Sequence, residues 1–207
     1  MKRDRLYLAS QSFSRRQLLD YSGIDYQTIE HTSDECVVPR EHDFHGYVMS
    51  IAQHKMDAIV LPSIEQDDNV CFVLTADSLV FTPQSRHILG KPEDLADAKR
   101  MLALMREEPV EVVTACCLHK KVVRAGRWEI DQEISWTTSA VIEFYVDQDL
   151  EDWYFEKMPR ALQACGAGII EGFGDNFLKS VNGSYSAVKG LPLFELRQAL
   201  KKIGFRF

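Results

Sequence analysis

Apolar residues along this chain follow two different periods, and the alternation between them predicts interleaved strands and helices. Runs rich in β-branched and aromatic residues predict strands over 5–9, 25–30, 70–81, 87–89, 110–119, 122–133, 139–145 and 177–181. Helical spacing of apolar residues predicts helices over 15–21, 44–60, 93–105, 147–156 and 193–203. Since strands and helices alternate without an internal repeat or a linker, we expect one α/β domain over 1–207 with a mixed sheet.

Two local signals refine these boundaries. Lys120 and Lys121 interrupt an apolar stretch and predict the turn of a hairpin between the strands on either side. Pro92 suits the first position of the helix over 93–105, where Glu93 and Asp94 would complement the helix dipole. The region 159–174 is rich in glycine and is predicted to be irregular.

Asp77 is the most unusual residue of the predicted strand over 70–81. This strand is apolar on both faces and holds a single carboxylate. Burying a charge among aliphatic and aromatic side chains costs several kcal/mol unless a cation or metal meets it. Asp77 is therefore a candidate site residue, and the alternative is a carboxylate that caps a turn at the strand end.

Lys55 is an anomaly of the opposite sign in the predicted helix over 44–60. It lies four residues after Ile51 and four before Ile59, on or beside the apolar face. An anion beneath this face would explain its position. The alternative is a lysine whose stem covers the core while its ammonium reaches water.

The turn S-Q-S-F-S-R-R connects the first predicted strand and helix. It places Arg15 and Arg16 in the first helical turn, where the helix dipole repels cations. Hydroxyl groups, free N–H groups at a helix start and two guanidinium groups together favour phosphate binding. The alternative is that Ser12 or Ser14 only caps the helix while the arginines point to solvent.

Two further charged residues gain weight only in combination with these. Lys91 precedes a proline, which favours an extended backbone and projects the lysine from a loop just before a helix. Glu35 stands beside Asp34 in a polar stretch and is either a metal ligand or an exposed acid.

Composition excludes some classes of function. The chain has 207 residues, 45% of them apolar and 27% charged, which is ordinary for a globular protein. A net charge of −7 argues against a broad surface for nucleic acid or anionic membrane. No apolar stretch reaches the roughly 20 residues of a membrane span. The five cysteines show no CxxC pair and indicate buried thiols in a reducing cytoplasm.

Four segments in this order resemble the Maf family of nucleoside triphosphate pyrophosphatases: L-A-S-Q-S-F-S-R-R-Q-L-L, A-D-S, G-K-P and S-V-N-G-S-Y-S-A-V-K-G-L-P-L. The similarity extends from residue 6 to about residue 200. It implies an elongated, twisted mixed sheet with flanking helices and two lobes around a cleft, a fold similar to that of Ham1-like inosine triphosphatases. It also implies a cytoplasmic homodimer that hydrolyses the α–β phosphate bond of a nucleoside triphosphate.

The resemblance assigns roles to the candidate residues. Asp77 matches the acidic residue that activates water and helps to hold a divalent metal, Mg²⁺ or Mn²⁺, and Glu35 matches an acidic position near that metal. Lys55 and Lys91 are predicted to be catalytic residues that hold the phosphates. The other residues predicted to bind the nucleotide and its phosphates are Ser10, Ser12, Arg15 and Arg16. A triphosphate needs several cations, so these roles agree with the chemistry of the residues.

Glu171 in E-G-F-G favours one branch of the family. This pattern resembles that of 7-methyl-GTP pyrophosphatases, whereas the branch that prefers dTTP and UTP commonly has a glutamine there. A carboxylate accepts hydrogen bonds from the two adjacent N–H groups of guanine. The expected substrate is therefore 7-methyl-GTP or another modified nucleotide. The alternatives are a dTTP/UTP pyrophosphatase and a nucleotide-binding regulator of septum formation with little turnover.

Three positions depart from the family pattern. Phe13 replaces a proline, Ser14 replaces the arginine or tryptophan of the family's branches, and Lys189 replaces an apolar residue. The first two bear on the shape of the base pocket, and the third adds a cation that lies near the ligand or is solvated.

Overall fold

A computed structural model describes residues 4–34, 43–61, 63 and 70–207. Seven strands are present in this part of the chain: β1 Leu6–Leu8, β2 Tyr26–Thr28, β3 Val70–Thr82, β4 His87–Leu89, β5 Val110–Arg124, β6 Arg127–Phe144 and β7 Leu178–Gly183. The helices are α1 Phe13–Ser22, α2 Phe44–Asp57, α3 Leu95–Glu107, α4 Glu151–Lys157, α5 Tyr185–Val188 and α6 Leu193–Lys202. None of the described helices is both long and apolar enough to cross a membrane.

The seven strands form one sheet in the order β2-β1-β3-β5-β6-β7, with β4 paired to β3. β1 runs parallel to both β2 and β3, while β3–β4 and β6–β7 are antiparallel. The prediction of an α/β fold with a mixed sheet is confirmed. The cleft between two lobes stays a prediction.

The chain forms two compact units, and the boundaries between them fall within β3, β5 and β6 and between α5 and α6. The first unit comprises Met1–Asp77, Ala115–Thr137 and Gly190–Phe207, and the second comprises Ser78–Thr114 and Thr138–Lys189. Each unit has its own apolar core. The assignment of 1–207 to a single domain stays a prediction.

The core of the first unit collects the apolar faces of α1, α6 and the strands β1 and β3. Leu196 and Leu200 of α6 are fully buried at helical spacing, as are Leu6 and Leu8 at strand spacing. In the second unit, Met101 and Met105 of α3 pack in one cluster with buried aromatic rings of α4. Cys71, Cys116 and Cys117 are buried free thiols, as predicted, whereas Cys165 is a free thiol that is only half-buried. Cys36 lies outside the described residues.

The hairpin between β5 and β6 differs from the prediction. Its turn lies at Ala125 and Gly126, which have φ values of +49° and +74°, and not at the two lysines. Lys120 instead continues β5 and places its Nζ 3.1 Å from Asp131 Oδ2 on β6. The strands predicted over 122–133 and 139–145 therefore belong to one longer hairpin. The left-handed turn ends the pairing of the two strands, while the half-buried lysine pair does not interrupt it.

Helix α3 begins two residues later than predicted. Asp94 is its N-cap, and the Asp94 carboxylate accepts a hydrogen bond of 2.8 Å from the backbone N–H of Asp97. Pro92 therefore precedes the helix instead of occupying its first position. A capping carboxylate fixes the start because it satisfies an N–H group that has no partner within the helix.

The turn Cys165–Ala167 requires a glycine at its centre. Gly166 has a φ of +68°, and a β-carbon there would lie 3.2 Å from both Met105 Sδ and Val80 Cγ2. We expect Gly166→Ala to lower the free energy of unfolding by roughly 2–5 kcal/mol, from left-handed strain plus crowding. Gly23→Ala is the matched control, because Gly23 has a φ of +69° with nothing within 4 Å. Urea unfolding should show a larger loss for Gly166→Ala, and equal losses would contradict the crowding argument.

Candidate functional site

Lys55 and Asp77 form a buried ion pair in the first unit. Lys55 Nζ lies 2.6 Å from Asp77 Oδ1, and the two side chains are only 7% and 9% exposed. Asp43 is the N-cap of helix α2, and its carboxylate accepts hydrogen bonds from two backbone N–H groups. The inner face of this helix buries Val48 and Ile51 together with Lys55. The anion that the sequence suggested beneath Lys55 is therefore Asp77.

Stability alone does not explain why this ion pair is buried. Removing two charges from water costs several kcal/mol for each ion, and apolar residues of similar volume often stabilise a protein equally well or better. A carboxylate held by an ammonium inside an apolar strand is instead typical of a functional site. The two anomalies seen in the sequence belong to one arrangement.

The turn before α1 gathers hydroxyl groups around a buried guanidinium group. Arg15 is 8% exposed; its Nη1 donates to Ser10 Oγ at 3.1 Å and its Nε donates to the Gly190 carbonyl at 2.8 Å. Ser12 is the N-cap of α1, and its Oγ accepts from the Arg15 N–H at 3.4 Å. The capping alternative therefore holds for Ser12. The solvent alternative is wrong for Arg15, whereas Arg16 is half-buried.

The start of α1 carries positive potential. Its first turn contains no acidic residue, and Arg15 adds a full positive charge. Helix starts of this kind bind phosphate groups readily. The turn is suited to hold part of a polyphosphate.

Strand register relates this turn to Asp77. Leu8 of β1 pairs in parallel with Leu74 of β3, and the N–H of Ala9 donates to the Leu74 carbonyl at 2.9 Å. Ser10 and Asp77 both follow these paired residues on neighbouring strands. The turn before α1 and the Asp77 carboxylate therefore lie toward the same edge of the sheet.

Lys91 and Glu171 belong to the second unit. Lys91 is exposed on the bend between β4 and α3, and the carbonyl of the preceding Gly90 accepts from the Gly166 N–H at 2.9 Å. Glu171 is half-buried just before the short 3₁₀ segment Gly172–Phe177. The structure describes each of these residues within its own unit.

Tyr185 and Lys189 extend the neighbourhood of Glu171. Burial raises the pKa of the Tyr185 phenol, and the negative charges of Glu171 and Asp175 raise it further. Lys189 Nζ lies 5.7 Å from the centre of the Tyr185 ring, which is within cation–π range. The unusual lysine at this position therefore stacks on an aromatic ring.

A divalent metal would find a suitable ligand in Asp77. Carboxylate oxygens suit Mg²⁺ and Mn²⁺, and Mg²⁺ commonly takes one or two carboxylates plus waters and substrate phosphates. In the part of the chain that the structure describes, no three histidine, cysteine or acidic side chains cluster as a metal centre. Glu35 lies outside the described residues.

Two buried polar groups escaped the sequence analysis. The Gly190 carbonyl accepts from Arg15 although the two residues are 175 positions apart, and no local sequence pattern indicates this contact. Thr114 is a buried hydroxyl in the apolar run of β5. Its signal was a polar residue among apolar ones, the same kind of signal that marked Asp77.

A buried carboxylate near a positive helix start is typical of proteins that process phosphorylated ligands. A family model described as Maf-like protein matches residues 5–203 of this chain. A dTTP/UTP pyrophosphatase from Anaeromyxobacter sp. (strain Fw109-5) is 34% identical over 200 residues, covering 97% of this chain and 90% of that protein. Another from Pseudoalteromonas atlantica is 32% identical and covers 96% of each chain. The chain belongs to the Maf-like family.

The similarity of this chain to relatives named as pyrophosphatases makes it a hydrolase that acts on nucleotide anhydride bonds. A solved HAM1 protein from Coxiella burnetii aligns with 96% of this chain and 99% of that chain, at a TM-score of 0.38 and 13% identity.

Proposed function

We propose that the protein hydrolyses the α–β phosphate bond of dTTP or UTP, releasing a nucleoside monophosphate and pyrophosphate. The observation that carries this proposal is the buried Lys55–Asp77 pair, 2.6 Å apart, in a chain of the Maf-like family. The relatives' names support the pyrimidine substrate over the 7-methyl-GTP expected from the sequence.

In the proposed reaction, Asp77 is the base. A water oxygen forms a bond to phosphorus while the bridging P–O bond between the α and β phosphates breaks. Asp77 takes the proton of that water and later releases it to solvent. The Asp77 carboxylate and Glu35 are the residues that would hold a divalent cation, which supplies charge neutralisation when bound.

The cations of the chain have the task of holding the phosphates. Arg15, with Ser10 and Ser12 at the start of α1, forms the phosphate turn, and Arg16 adds a second guanidinium group in the same helical turn. Lys91 contributes from its exposed bend. Lys55 has three N–H donors, so its bond to Asp77 is compatible with a phosphate contact as well.

Glu171 favours a second candidate substrate, 7-methyl-GTP. A carboxylate accepts from the N1–H and N2–H groups of guanine, and 7-methylation leaves the ring cationic. Uracil and thymine instead offer one N–H between two carbonyl oxygens, which an amide matches better than a carboxylate. The family homodimer and its cytoplasmic location stay predictions for this chain.

A nucleotide panel tests the substrate. With Mg²⁺ or Mn²⁺ present, we expect kcat/KM for pyrophosphate release to be higher for UTP and dTTP than for GTP and 7-methyl-GTP. A clear preference for 7-methyl-GTP would overturn the pyrimidine assignment in favour of the second candidate. Nucleotide binding without pyrophosphate release from any of the four would favour a regulatory protein.

Glu171→Gln tests whether this side chain contributes to base selection. Because an amide suits pyrimidines better, we expect the ratio of kcat/KM for UTP to that for 7-methyl-GTP to rise by ~10-fold or more. Asp175→Asn is the matched control, since Asp175 is an exposed carboxylate that also acts on Tyr185. Equal ratios in the wild type and both variants would remove Glu171 from base selection.

A further inference from the structure

Thr114 is a fully buried hydroxyl in the second unit, within an otherwise apolar stretch of β5. A buried hydroxyl group is normally hydrogen-bonded. The Thr114 Oγ1 donates to the Ala187 carbonyl at 2.8 Å and also lies 2.7 Å from Ser78 Oγ. Thr114 therefore joins β3 to α5.

The direction of this chain of hydrogen bonds follows from counting protons. A carbonyl oxygen can only accept, so Thr114 must be the donor to Ala187. A hydroxyl group has a single hydrogen, so Thr114 has none left for Ser78. Ser78 is therefore the donor to Thr114, and the chain runs from Ser78 through Thr114 to Ala187.

At one end of these hydrogen bonds, Ser78 holds the part of β3 that immediately follows Asp77. Successive residues of a strand point to opposite faces, so Ser78 holds β3 from the face away from the Asp77 carboxylate. The Ser78 carbonyl also accepts from Cys165 Sγ at 2.8 Å. Both the side chain and the backbone of Ser78 are thus fixed.

The other end holds the turn that precedes the Arg15 anchor. Ala187 is fully buried; its N–H donates to Ser184 Oγ at 3.3 Å, and its carbonyl accepts from Thr114. Three residues later, the Gly190 carbonyl accepts from Arg15 Nε. The hydrogen bonds of Thr114 therefore hold two segments. One is next to Asp77, and the other is next to the carbonyl that accepts from Arg15.

We propose that Thr114 is a positioning residue of the hydrolytic reaction, acting through Ser78 on Asp77 and through α5 on the Gly190 segment. This role rests on the proposed function. Thr114 need not touch the substrate, because its effect is to hold the base in place. Displacement of a reacting group by about 1 Å can lower a rate ~10²-fold.

Thr114→Val tests this role, because it removes the hydroxyl and nearly keeps the side-chain shape. We expect kcat for the preferred nucleotide to fall ~10–100-fold while KM stays within ~3-fold. Thr114→Ser keeps the hydroxyl and should return kcat to within ~3-fold of wild type. A merely structural role would not lower kcat at constant KM, and kcat would not recover in Thr114→Ser.

Thr82→Val is the matched control, on β3. Thr82 is also fully buried, donates to the His87 carbonyl at 3.3 Å and accepts from Ser85 Oγ at 2.8 Å. It should lose thermal stability to a similar degree as Thr114→Val while keeping wild-type kcat. A Thr114→Val protein that is folded and matches Thr82→Val in kcat would overturn the proposal.

Ser78→Ala keeps the test decisive if Thr114→Val does not fold. It removes the first donor of these hydrogen bonds from a half-buried position, and we expect kcat to fall while KM stays within ~3-fold. Unchanged kcat in Ser78→Ala would overturn the role. A wild-type protein that releases no pyrophosphate from any nucleotide would overturn the proposed function, and the positioning role with it.

Discussion

Replacing Asp77 with asparagine is expected to lower kcat for nucleotide hydrolysis by ~10²–10⁴-fold, the usual contribution of a general base. The amide has nearly the same shape and still offers an oxygen to Lys55, 2.6 Å away, but it cannot take a proton from water. It also binds a divalent cation less well than a carboxylate does. Both effects act on the chemical step and on every nucleotide.

The measurement must separate chemistry from folding, because Asp77→Asn leaves the Lys55 charge buried without its counter-charge. An uncompensated buried charge typically destabilises by ~3–5 kcal/mol, so kcat should be compared well below the Tm of the variant. Asp57→Asn is the control, since Asp57 is an exposed carboxylate at the end of α2. A folded Asp77→Asn protein with near-native kcat would remove Asp77 as the base.

The sequence predicted the members of the site better than their contacts. Asp77 and Lys55 each stood out because a charge on an apolar face has few explanations. Their pairing depends on how α2 packs on β3, and the separation of 22 positions along the chain gives no signal of that contact. Arg15 was expected at a helix start, but its burial depends on the distant Gly190 carbonyl, which belongs to tertiary structure alone.

The fold shows the same division between local and tertiary information. The extent of β3 was predicted to within one residue, because a long apolar run ending in a polar turn is a local signal. The hairpin turn was misplaced because Lys120 was interpreted as a break, whereas pairing with Asp131 stabilises it within the strand. Helix α5 was missed because its four residues are too few to show a period, and the hydrogen bonds of Ala187 hold it.

Lys55→Met is expected to lower kcat/KM for every nucleotide by a similar factor of ~10²–10³, the effect of removing one preorganised cation from the site. It should also reduce the free energy of unfolding by ~3–5 kcal/mol, because Asp77 is left charged and buried. The factor is independent of the base because phosphates carry no base identity. A loss confined to one nucleotide would contradict a phosphate role.

Lys91→Ala separates the effect of a lost cation on turnover from its effect on stability. Lys91 is exposed, so its removal should change stability by no more than ~0.5 kcal/mol while lowering kcat/KM uniformly across nucleotides. Lys55→Met and Lys91→Ala should therefore differ in urea unfolding and agree in their pattern across the nucleotide panel. Wild-type turnover in Lys91→Ala would remove this lysine from phosphate binding.

The double variant Lys55→Met with Asp77→Leu shows why the chain keeps a buried ion pair. Replacing both charges with apolar groups of similar size removes the uncompensated charge, so stability should recover by at least ~2 kcal/mol relative to Lys55→Met alone. Turnover should not recover with stability, because the base and its cation are both gone. A double variant no more stable than Lys55→Met would mean that the pair itself contributes to the fold. Recovery of stability without activity would show that this pair is retained for hydrolysis.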